Sequence, residues 1–225
     1  MPNLPQLLAL FELENPEKLI FLNANELKDA HVPPFQPDFP VLIWGETPLD
    51  LDAIRIILQT TYADSHPLRL SANSGAITKV NLGLLIPSEE DAETNAIYIS
   101  PLEAGTSLSA FQEIVAHLRA PDGCPWDKKQ THQSLRQHLL EESYEALEAM
   151  DAGNSTDMAE EFGDLLLQIV LNAQIATETG DFRMKDIIKG IYDKIVRRHP
   201  HVCEQVEVDG VGEVLRNWEQ LKEQE

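Results

Sequence analysis

From residue 107 onward the chain repeats apolar side chains at helical spacing, and this pattern restricts the second half of the chain to an all-α fold. Turn-forming segments interrupt the pattern at PDGCPWD, DAGNST, ETGD and HPHVCEQVEVDG. The segment DAGNST is so short that the helices before and after it are expected to pack antiparallel. The predicted helices span residues 107–119, 132–150, 156–178, 184–198 and 211–223.

The first part of the chain has a different pattern. Short apolar runs bounded by turn formers, KLIFLNA, PVLIWG, HPLRLSA and NAIYIS, predict strands. PLDLDAIRIILQTTY predicts a helix with Pro48 in its first turn, and the proline-rich HVPPFQPDFP predicts a loop. We therefore expect an α+β protein of two domains, a small α/β domain at residues 1–106 and an all-α bundle at residues 107–225.

Charge and composition limit the partners of this chain. The formal net charge is −21 and both halves are acidic, so binding to a nucleic acid polymer is not expected. The sequence has no run of about 18 apolar residues, so no membrane span or membrane partner is expected. The N-terminus lacks the basic start of a signal peptide, and the two cysteines suggest neither a disulfide framework nor a zinc site. A cytoplasmic location is the simplest expectation.

Acidic residues border the apolar stripes of the two central predicted helices. Glu142 and Glu145 are three residues apart in one helix, and Glu161 and Asp164 are three residues apart in the next. In antiparallel helices these pairs face each other, and four carboxylates that meet at a seam repel one another unless a cation joins them. Oxygen ligands suit Mg²⁺, with Mn²⁺ as a substitute, and Mg²⁺ also binds phosphates. The pattern therefore indicates a metal-phosphate site.

The alternative for these acids is a solvated helix face with basic partners at i,i+4 spacing. No lysine occurs between Lys129 and Lys185, which disfavours that alternative. The apolar stripes beside the acids are expected to be buried. In the two central helices these stripes consist of Leu135, Leu139, Ala146 and Met150 and of Met158, Phe162, Leu165, Leu166 and Ile169.

The next predicted helix, in KDIIKGIYDKIVRRHPHV, carries positive charge. Its basic residues lie three and four apart, where they either hold phosphate oxygens or complement the C-terminus of their own helix. We expect its isoleucines to be buried. The basic residues are Lys194, Arg197 and Arg198, and the isoleucines are Ile187, Ile188, Ile191 and Ile195.

Together, the motifs GCPWDKKQTHQSLRQHLLEESYEALEAM, AEEFGDLLLQIV, KIVRRHPHV and NWEQLK resemble the MazG family of nucleoside triphosphate pyrophosphohydrolases over about residues 107–225. The resemblance implies Mg²⁺-dependent hydrolysis of nucleoside triphosphates to monophosphate and pyrophosphate, in nucleotide-pool housecleaning. It implies four metal ligands, Glu142, Glu145, Glu161 and Asp164. It implies nucleotide contacts at His138, Glu142, Asp164, Lys194, Arg197, Arg198 and Trp218.

The resemblance also implies a mechanism and an assembly. Water attacks the α-phosphorus of a Mg²⁺-bound triphosphate, and the basic residues offset charge on the leaving pyrophosphate. Glu141 is the candidate catalytic residue, either as the base or as a partner of the metal ligands. Trp218 either stacks on a base or packs the last helix. We expect a homodimer or a higher homo-oligomer formed through residues 107–225.

A second resemblance concerns the first domain. LNANELKDAHVPPFQPDFPVLIWG and HPLRLSA are similar to the C-terminal half of tetrapyrrole methylase domains, which some MazG proteins carry upstream. The other half, with its Gly-rich loop, is missing here, so no methyltransferase activity is expected and a bifunctional tetrapyrrole enzyme is disfavoured. The domain then stabilises the protein, pairs it, or binds another ligand. The main competitor to an enzyme is a non-catalytic sensor that binds nucleotide or metal.

Overall fold

The computed structural model of the protein describes residues 4–13, 16–46, 48–72, 75–85, 94–204 and 206–223. The chain divides into two compact units, Met1–Phe111 and Gln112–Glu225, just after the predicted boundary between residues 106 and 107. The first unit contains a mixed sheet with helices and the second is helical, so the chain has an α+β fold. None of the helices formed by the described residues is long and apolar enough to cross a membrane.

A mixed sheet forms the centre of the first unit. Its strands are β1 (Ile20–Asn23), β2 (Val41–Trp44), β3 (Pro67–Ala72), β4 (Ile77–Asn81) and β5 (Thr94–Ile99). They lie in the order β1-β2-β5-β3-β4; β1 and β2 are parallel, and the other neighbouring pairs are antiparallel. The four predicted strands are confirmed. Strand β4 is an addition; it lies at the sheet edge and exposes most of its side chains, including Lys79, which weakens its apolar pattern.

Helices cover both faces of this sheet. The predicted helix is confirmed as α2 (Leu51–Gln59), which packs Ile54 and Leu58 against Ile43 of β2. On the opposite face, Phe11 follows helix α1 (Leu4–Leu10) and is fully buried in a cluster with Leu42 and Trp44. Burial from both sides explains why β2 is apolar at every position.

The second unit is built of helices that follow one another with short connections. The five predicted helices are confirmed, with ends that differ by up to three residues, and a short extra helix lies between the last two. In chain order they are α3 (Leu108–Arg119), α4 (Leu135–Ala152), α5 (Ser155–Thr179), α6 (Met184–Arg198), α7 (Pro200–Cys203) and α8 (Gly210–Glu223).

The turn between α4 and α5 has residues suited to a tight reversal. Gly153 ends α4 with φ of 66°, a left-handed conformation that favours glycine. The Asn154 side-chain oxygen then accepts hydrogen bonds from the backbone N–H groups of Thr156 and Asp157, at 3.1 and 3.4 Å, and so caps α5. The two helices consequently pack as a hairpin, as the short segment DAGNST predicts.

Arg119, the last residue of α3, holds the start of the second unit against α5. Its guanidinium group donates two hydrogen bonds to the Glu178 carboxylate, at 2.8 and 2.6 Å, and others to the backbone oxygens of Asp127 and Gln130. The Arg119 side chain is 7% exposed, so water competes little for these bonds. Through this contact the segment that precedes α4 is fixed to the C-terminal end of α5.

The prediction that the apolar stripes of the second unit are buried is wrong for many of their members. Leu135 and Ala146 are buried as expected, but Phe162 is 48% exposed and Ile191 is 50% exposed. The physical reason is the number of layers: a hairpin and one further long helix bury only part of each apolar face. The other exposed members of the predicted stripes are Leu139, Met150, Leu166, Ile169, Ile188 and Ile195.

Candidate active site

Helices α4 and α5 bring three carboxylates together. Oxygens of Glu142 and Glu145 on α4 and of Glu161 on α5 all lie within 4.8 Å of one another. The three-residue spacing places both α4 acids on one side of that helix, and the Gly153 turn returns α5 alongside them. The predicted pairing of acids across the two helices is therefore present for three of the four residues.

The negative charges of these carboxylates repel one another, and the charge of Asp164 adds to this repulsion. Partial burial raises the pKa of Glu142, and the charges of Asp164, Glu145 and Glu161 raise it further, whereas His138 lowers it. Partial burial, followed by the charges of Glu145 and Asp164, also raises the pKa of Glu161. Asp164 therefore belongs to the same electrostatic group, although it is not one of the three within 4.8 Å. We call Glu142, Glu145, Glu161 and Asp164 the acidic cluster.

The donor set of the acidic cluster fits a hard divalent cation. Every group is a carboxylate, and oxygen-only ligands favour Mg²⁺ or Mn²⁺ over zinc or copper. Partial burial raises the pKa of Glu142 and of Glu161, and the charges of the neighbouring carboxylates raise both further, which is the direction expected where acids cluster. A cation of charge +2 held by Glu142, Glu145 and Glu161 would offset these charges.

Glu141, the predicted catalytic residue, is not one of the three clustered carboxylates and contacts neighbours on its own helix. One of its oxygens accepts a hydrogen bond from Gln137 at 2.9 Å, and the other lies 3.5 Å from Nδ1 of His138. His138 is half-buried and meets the Trp126 ring edge-on, with 6.1 Å between ring centroids. Because His138 also influences Glu142, it links Glu141 to the acidic cluster.

The predicted phosphate-binding residues lie at the end of α6. Lys194 and Arg197 are exposed, and the Arg198 guanidinium lies over the Trp218 ring at 5.2 Å from its centroid. Lys222 lies 5.1 Å from the same centroid, so Trp218 has cationic partners within its own unit. The groups that shift the pKa of Glu142 and Glu161 are carboxylates and His138, and the basic residues of α6 are not among them.

Beyond the acidic cluster, α4 and α5 line a cavity of about 310 Å³ that the predicted site does not include. Its walls combine aliphatic side chains with two carboxamides, Gln168 and Asn172, and with the basic side chains of His132 and Arg136. Both carboxamides continue the i,i+4 row that begins at Asp164, a spacing that the sequence already contains. We call it the α4/α5 cavity; its aliphatic residues include Leu135, Leu139, Ile169 and Ile187.

The first unit has a larger cavity, of about 530 Å³, at the ends of the parallel strands β1 and β2. Its lining includes Lys28, Asn23 and Asp50. The side-chain oxygens of Asn23 and Asp50 already accept hydrogen bonds from the backbone N–H groups of Asn25 and Ala53. These polar groups therefore have local structural roles, and the cavity does not define the chemistry of a ligand.

Comparison with known proteins places the acidic cluster within a described family domain. The family model of the MazG nucleotide pyrophosphohydrolase domain matches residues 130–203. Residues 130–203 of the helical unit therefore resemble a MazG domain. The matched segment covers α4, α5, α6 and α7, and with them the whole acidic cluster and the basic residues of α6. Trp218 and the sheet of the first unit lie outside it.

Individual relatives share about half of this chain. The nucleoside triphosphate pyrophosphohydrolase/pyrophosphatase MazG of Thermotoga maritima is 47% identical over 123 residues, which are 55% of this chain and 47% of that protein. The nucleoside triphosphate pyrophosphohydrolase of Escherichia coli K12 is 46% identical over 113 residues, which are 50% of this chain and 43% of that protein. The uncharacterized protein YabN of Bacillus subtilis is 51% identical over 134 residues, which are 58% of this chain and 27% of that protein.

The chain thus spans less than half of the length of each of these relatives. The resemblance to the MazG family is confirmed for residues 130–203. The similarity of the first unit to half of a tetrapyrrole methylase domain stays a prediction, as do the roles of the individual site residues.

Proposed function

We propose that the helical unit hydrolyses nucleoside triphosphates to nucleoside monophosphate and pyrophosphate in a Mg²⁺-dependent reaction. The observation that carries this proposal is the group of three carboxylates within 4.8 Å, with raised pKa values for two of them, inside the segment that matches the MazG domain. Relatives that are 46% and 47% identical over about half of the chain bear the name of this activity.

In the proposed reaction, Glu142, Glu145 and Glu161 hold Mg²⁺ and Asp164 supports them. When bound, Mg²⁺ supplies the positive charge that allows a triphosphate to approach this acidic surface. The oxygen of a water molecule attacks the α-phosphorus, the bond from that phosphorus to the bridging oxygen of the β-phosphate breaks, and pyrophosphate leaves. Glu141 accepts the proton of the attacking water after its carboxylate releases Gln137.

The basic residues of α6 have the second task in this proposal. Lys194, Arg197 and Arg198 bind the β- and γ-phosphate oxygens and offset the negative charge that develops on pyrophosphate as it leaves. Trp218 contributes through the contact that its ring makes with Arg198, which holds that guanidinium in place. A nucleotide that bridges the acidic cluster and the end of α6 would bring the two sets of residues together.

A second copy of this chain is the partner that we propose for the helical unit. Exposed apolar side chains lie at helical spacing on α4, as Leu140, Tyr144 and Leu147, and similar rows occur on α5 and α6. Apolar stripes of this length on an isolated surface usually mark an interface. A homodimer or a higher homo-oligomer would bury them and complete the bundle. Nucleotide-pool housecleaning in the cytoplasm is the setting that we propose.

The competing function is a sensor that binds nucleotide or metal without catalysis. Pyrophosphate release separates the two, because a sensor binds triphosphate but forms no product. With full-length protein, Mg²⁺ and a panel of canonical and modified triphosphates, we expect pyrophosphate from at least one nucleotide and none in EDTA. The variant Glu161→Gln should lose roughly 100-fold or more of this activity. A wild-type protein that binds triphosphate but releases no pyrophosphate from the panel would favour the sensor.

A further inference from the structure

Gln168 has an unusual position on α5. Its side chain is only 6% exposed, and its buried carboxamide oxygen has no hydrogen-bond partner among the residues that the structure describes. Buried polar atoms in native proteins nearly always have a partner, because desolvation without one is costly. The terminal torsion of a glutamine is soft, so the carboxamide of Gln168 can turn toward the α4/α5 cavity without a change in the helix.

Three other polar side chains line this cavity, Asn172, His132 and Arg136, and the first two are already engaged. Asn172 Oδ1 lies 2.7 Å from His132 Nδ1, and Asn172 Nδ2 donates to the backbone oxygen of Gln168 at 2.8 Å. The His132 ring lies parallel to Phe182, with 6.4 Å between ring centroids. These contacts fix Asn172 and His132. Arg136 is an exposed guanidinium that offers donors only, so the carboxamide of Gln168 supplies the acceptor that an incoming ligand would pair with.

The remaining walls favour a flat, largely apolar ligand with one polar edge. Leu139 comes from α4, Ile169 from α5 and Ile187 from α6, and the three line the cavity with aliphatic surface. The volume of about 310 Å³ lies at the small end of the range for ligand pockets and suits one heterocyclic ring system. The carboxamide presents an acceptor beside a donor, which matches a ring edge with an N–H group next to an acceptor.

The α4/α5 cavity lies next to the acidic cluster on both helices. Gln168 is four residues beyond Asp164 on α5, a separation of about 6 Å along the helix axis. Leu139 is one turn before Glu142 on α4, so both helices place the cavity next to the acids. In a nucleotide, a single sugar separates the phosphates from the base, and a ligand bound by its phosphates at the cluster would place its base in this neighbourhood.

We propose that the α4/α5 cavity binds the base of the nucleotide and that Gln168 is the residue that reads its edge. The Oε1 atom accepts a hydrogen bond from an N–H group of the base, and Nε2 donates to the adjacent ring nitrogen or carbonyl oxygen. Glutamine pairs in this bidentate manner with adenine in protein–DNA complexes. As a statement about a substrate, this inference rests on the proposed hydrolysis, but the binding of the base does not require catalysis.

The first test uses nucleosides, which have no phosphate, and full-length protein in EDTA. Binding of adenosine, guanosine, cytidine and uridine at millimolar concentration is followed by ligand-observed NMR. We expect at least one nucleoside to bind and Gln168→Met to weaken it roughly 10-fold or more, since methionine has a similar shape without the donor and acceptor. The matched control is Gln174→Met, on the same helix, because Gln174 bonds to Glu178 and does not line this cavity.

Two results of this experiment would overturn the inference. One is that no nucleoside binds the wild-type protein, in which case water or a second copy of the chain satisfies Gln168. The other is that Gln168→Met binds nucleoside as well as the wild-type protein does. Neither result depends on hydrolysis, because metal and phosphates are absent. Conversely, nucleoside binding without pyrophosphate release would contradict the proposed reaction and leave the base site intact.

The second test separates reading of the base from a structural role. For the preferred triphosphate, kcat/KM should fall roughly 10- to 100-fold in Gln168→Met, while binding of inorganic tripolyphosphate with Mg²⁺ stays unchanged. The melting temperature should not decrease, since the substitution removes an unpaired buried polar atom. A loss of tripolyphosphate binding in parallel with the loss of turnover would overturn the assignment. Gln168→Glu, which keeps the shape but loses the Nε2 donor, serves as a second variant and should also show a reduced kcat/KM.

Discussion

At the scale of single residues, the acidic cluster is a place where folding and charge oppose each other. The α4/α5 hairpin holds Glu142, Glu145 and Glu161 together. Partial burial, and after it the repulsion among the carboxylates, raises the pKa of Glu142 and of Glu161. A carboxyl whose pKa is raised on folding contributes stability at low pH and loses it as the pH rises through the raised pKa. At neutral pH the cluster should therefore destabilise the metal-free fold, and a bound cation, as proposed, would reverse this effect.

This balance predicts the behaviour of Glu145→Gln, which keeps the size of the side chain and removes one charge. Without metal, the variant should melt at the same temperature as the wild-type protein or higher, because one repulsion is gone. Mg²⁺ at 100 times its Kd should add about 2.7 kcal/mol to the wild-type free energy of unfolding, and the variant should lose most of this gain. Thermal melts of both proteins in Mg²⁺ and in EDTA measure the two effects.

The control is Glu148→Gln, one turn further along α4 and exposed, which should keep the Mg²⁺-dependent shift and the activity. A structural role for Glu145 would give the opposite pattern. In that case Glu145→Gln would melt at a lower temperature with and without Mg²⁺ and would retain turnover.

The sequence predicts the acids of the cluster well, because identity and spacing determine both their charge and their side of the helix. Glu142, Glu145 and Glu161 meet as expected, and Asp164 interacts with them. Gln168 could not be predicted in this way, because no sequence pattern marks a single glutamine in a leucine-rich helix as a site residue. Its importance comes from its unpaired carboxamide oxygen, which depends on the neighbours that α4 and α6 place around it.

At the scale of elements, the contact between Arg119 and Glu178 joins α3 to α5. Hydrogen bonds from Arg119 lower the pKa of Glu178, and the same carboxylate raises the pKa of Arg119. A carboxyl with a lowered pKa contributes stability above its unfolded pKa and loses it as the pH falls through the folded value. This contact should therefore stabilise the helical unit at neutral pH and release α3 in acid.

We predict that Glu178→Gln lowers the free energy of unfolding of the helical unit at pH 7. The difference in this free energy between variant and wild type should become smaller as the pH falls below about 4.3, the usual pKa of a glutamate. Arg119→Met should cost about 2 kcal/mol at pH 7, because several hydrogen bonds of a largely buried guanidinium are lost. Chemical unfolding at several pH values, followed by circular dichroism, checks both. Glu219→Gln on α8 controls for the loss of one carboxylate. The prediction would be contradicted if the free energy of unfolding depended on pH in the same way in the wild-type protein, in Glu178→Gln and in Glu219→Gln.

Most helices and strands can be predicted from the sequence. The elements that the sequence does not predict have weak local sequence patterns. The five long helices of the second unit have clear turn formers at their ends, and Gly153 and Asn154 define the hairpin. Helix α1 has seven residues and gains its order from packing of Leu7 and Phe11 against the sheet. Strand β4 is recognisable only through its pairing with β3, because an edge strand exposes many of its side chains.

At the scale of the whole molecule, the exposed apolar rows on α4, α5 and α6 are the main departure from what periodicity predicts. Helical spacing shows that one face is apolar, but it does not show whether that face packs within the chain or against another copy. Ile188, Ile191 and Ile195 have the expected spacing and are nevertheless exposed. A local sequence pattern does not show how many layers of helices pack on one another.

We therefore predict that the full-length protein is a homodimer or a higher homo-oligomer at micromolar concentration, and that Leu147→Lys shifts it toward monomer. A lysine on the α4 row would place an unpaired charge in the proposed interface. The control is Val32→Lys, an equally exposed apolar residue of the first unit, which should leave assembly unchanged. Sedimentation velocity measures the outcome, and a monomeric wild-type protein would contradict the proposed pairing.

In the proposed reaction, the helical unit cleaves a triphosphate between the α- and β-phosphates by attack of water at the α-phosphorus. The most direct measurement is turnover of the preferred triphosphate with Mg²⁺ in ¹⁸O-labelled water, with products separated and analysed by mass spectrometry. We predict nucleoside monophosphate that carries one ¹⁸O atom, together with an equal amount of unlabelled pyrophosphate. Nucleoside diphosphate with orthophosphate, or label in the pyrophosphate, would contradict the proposed reaction.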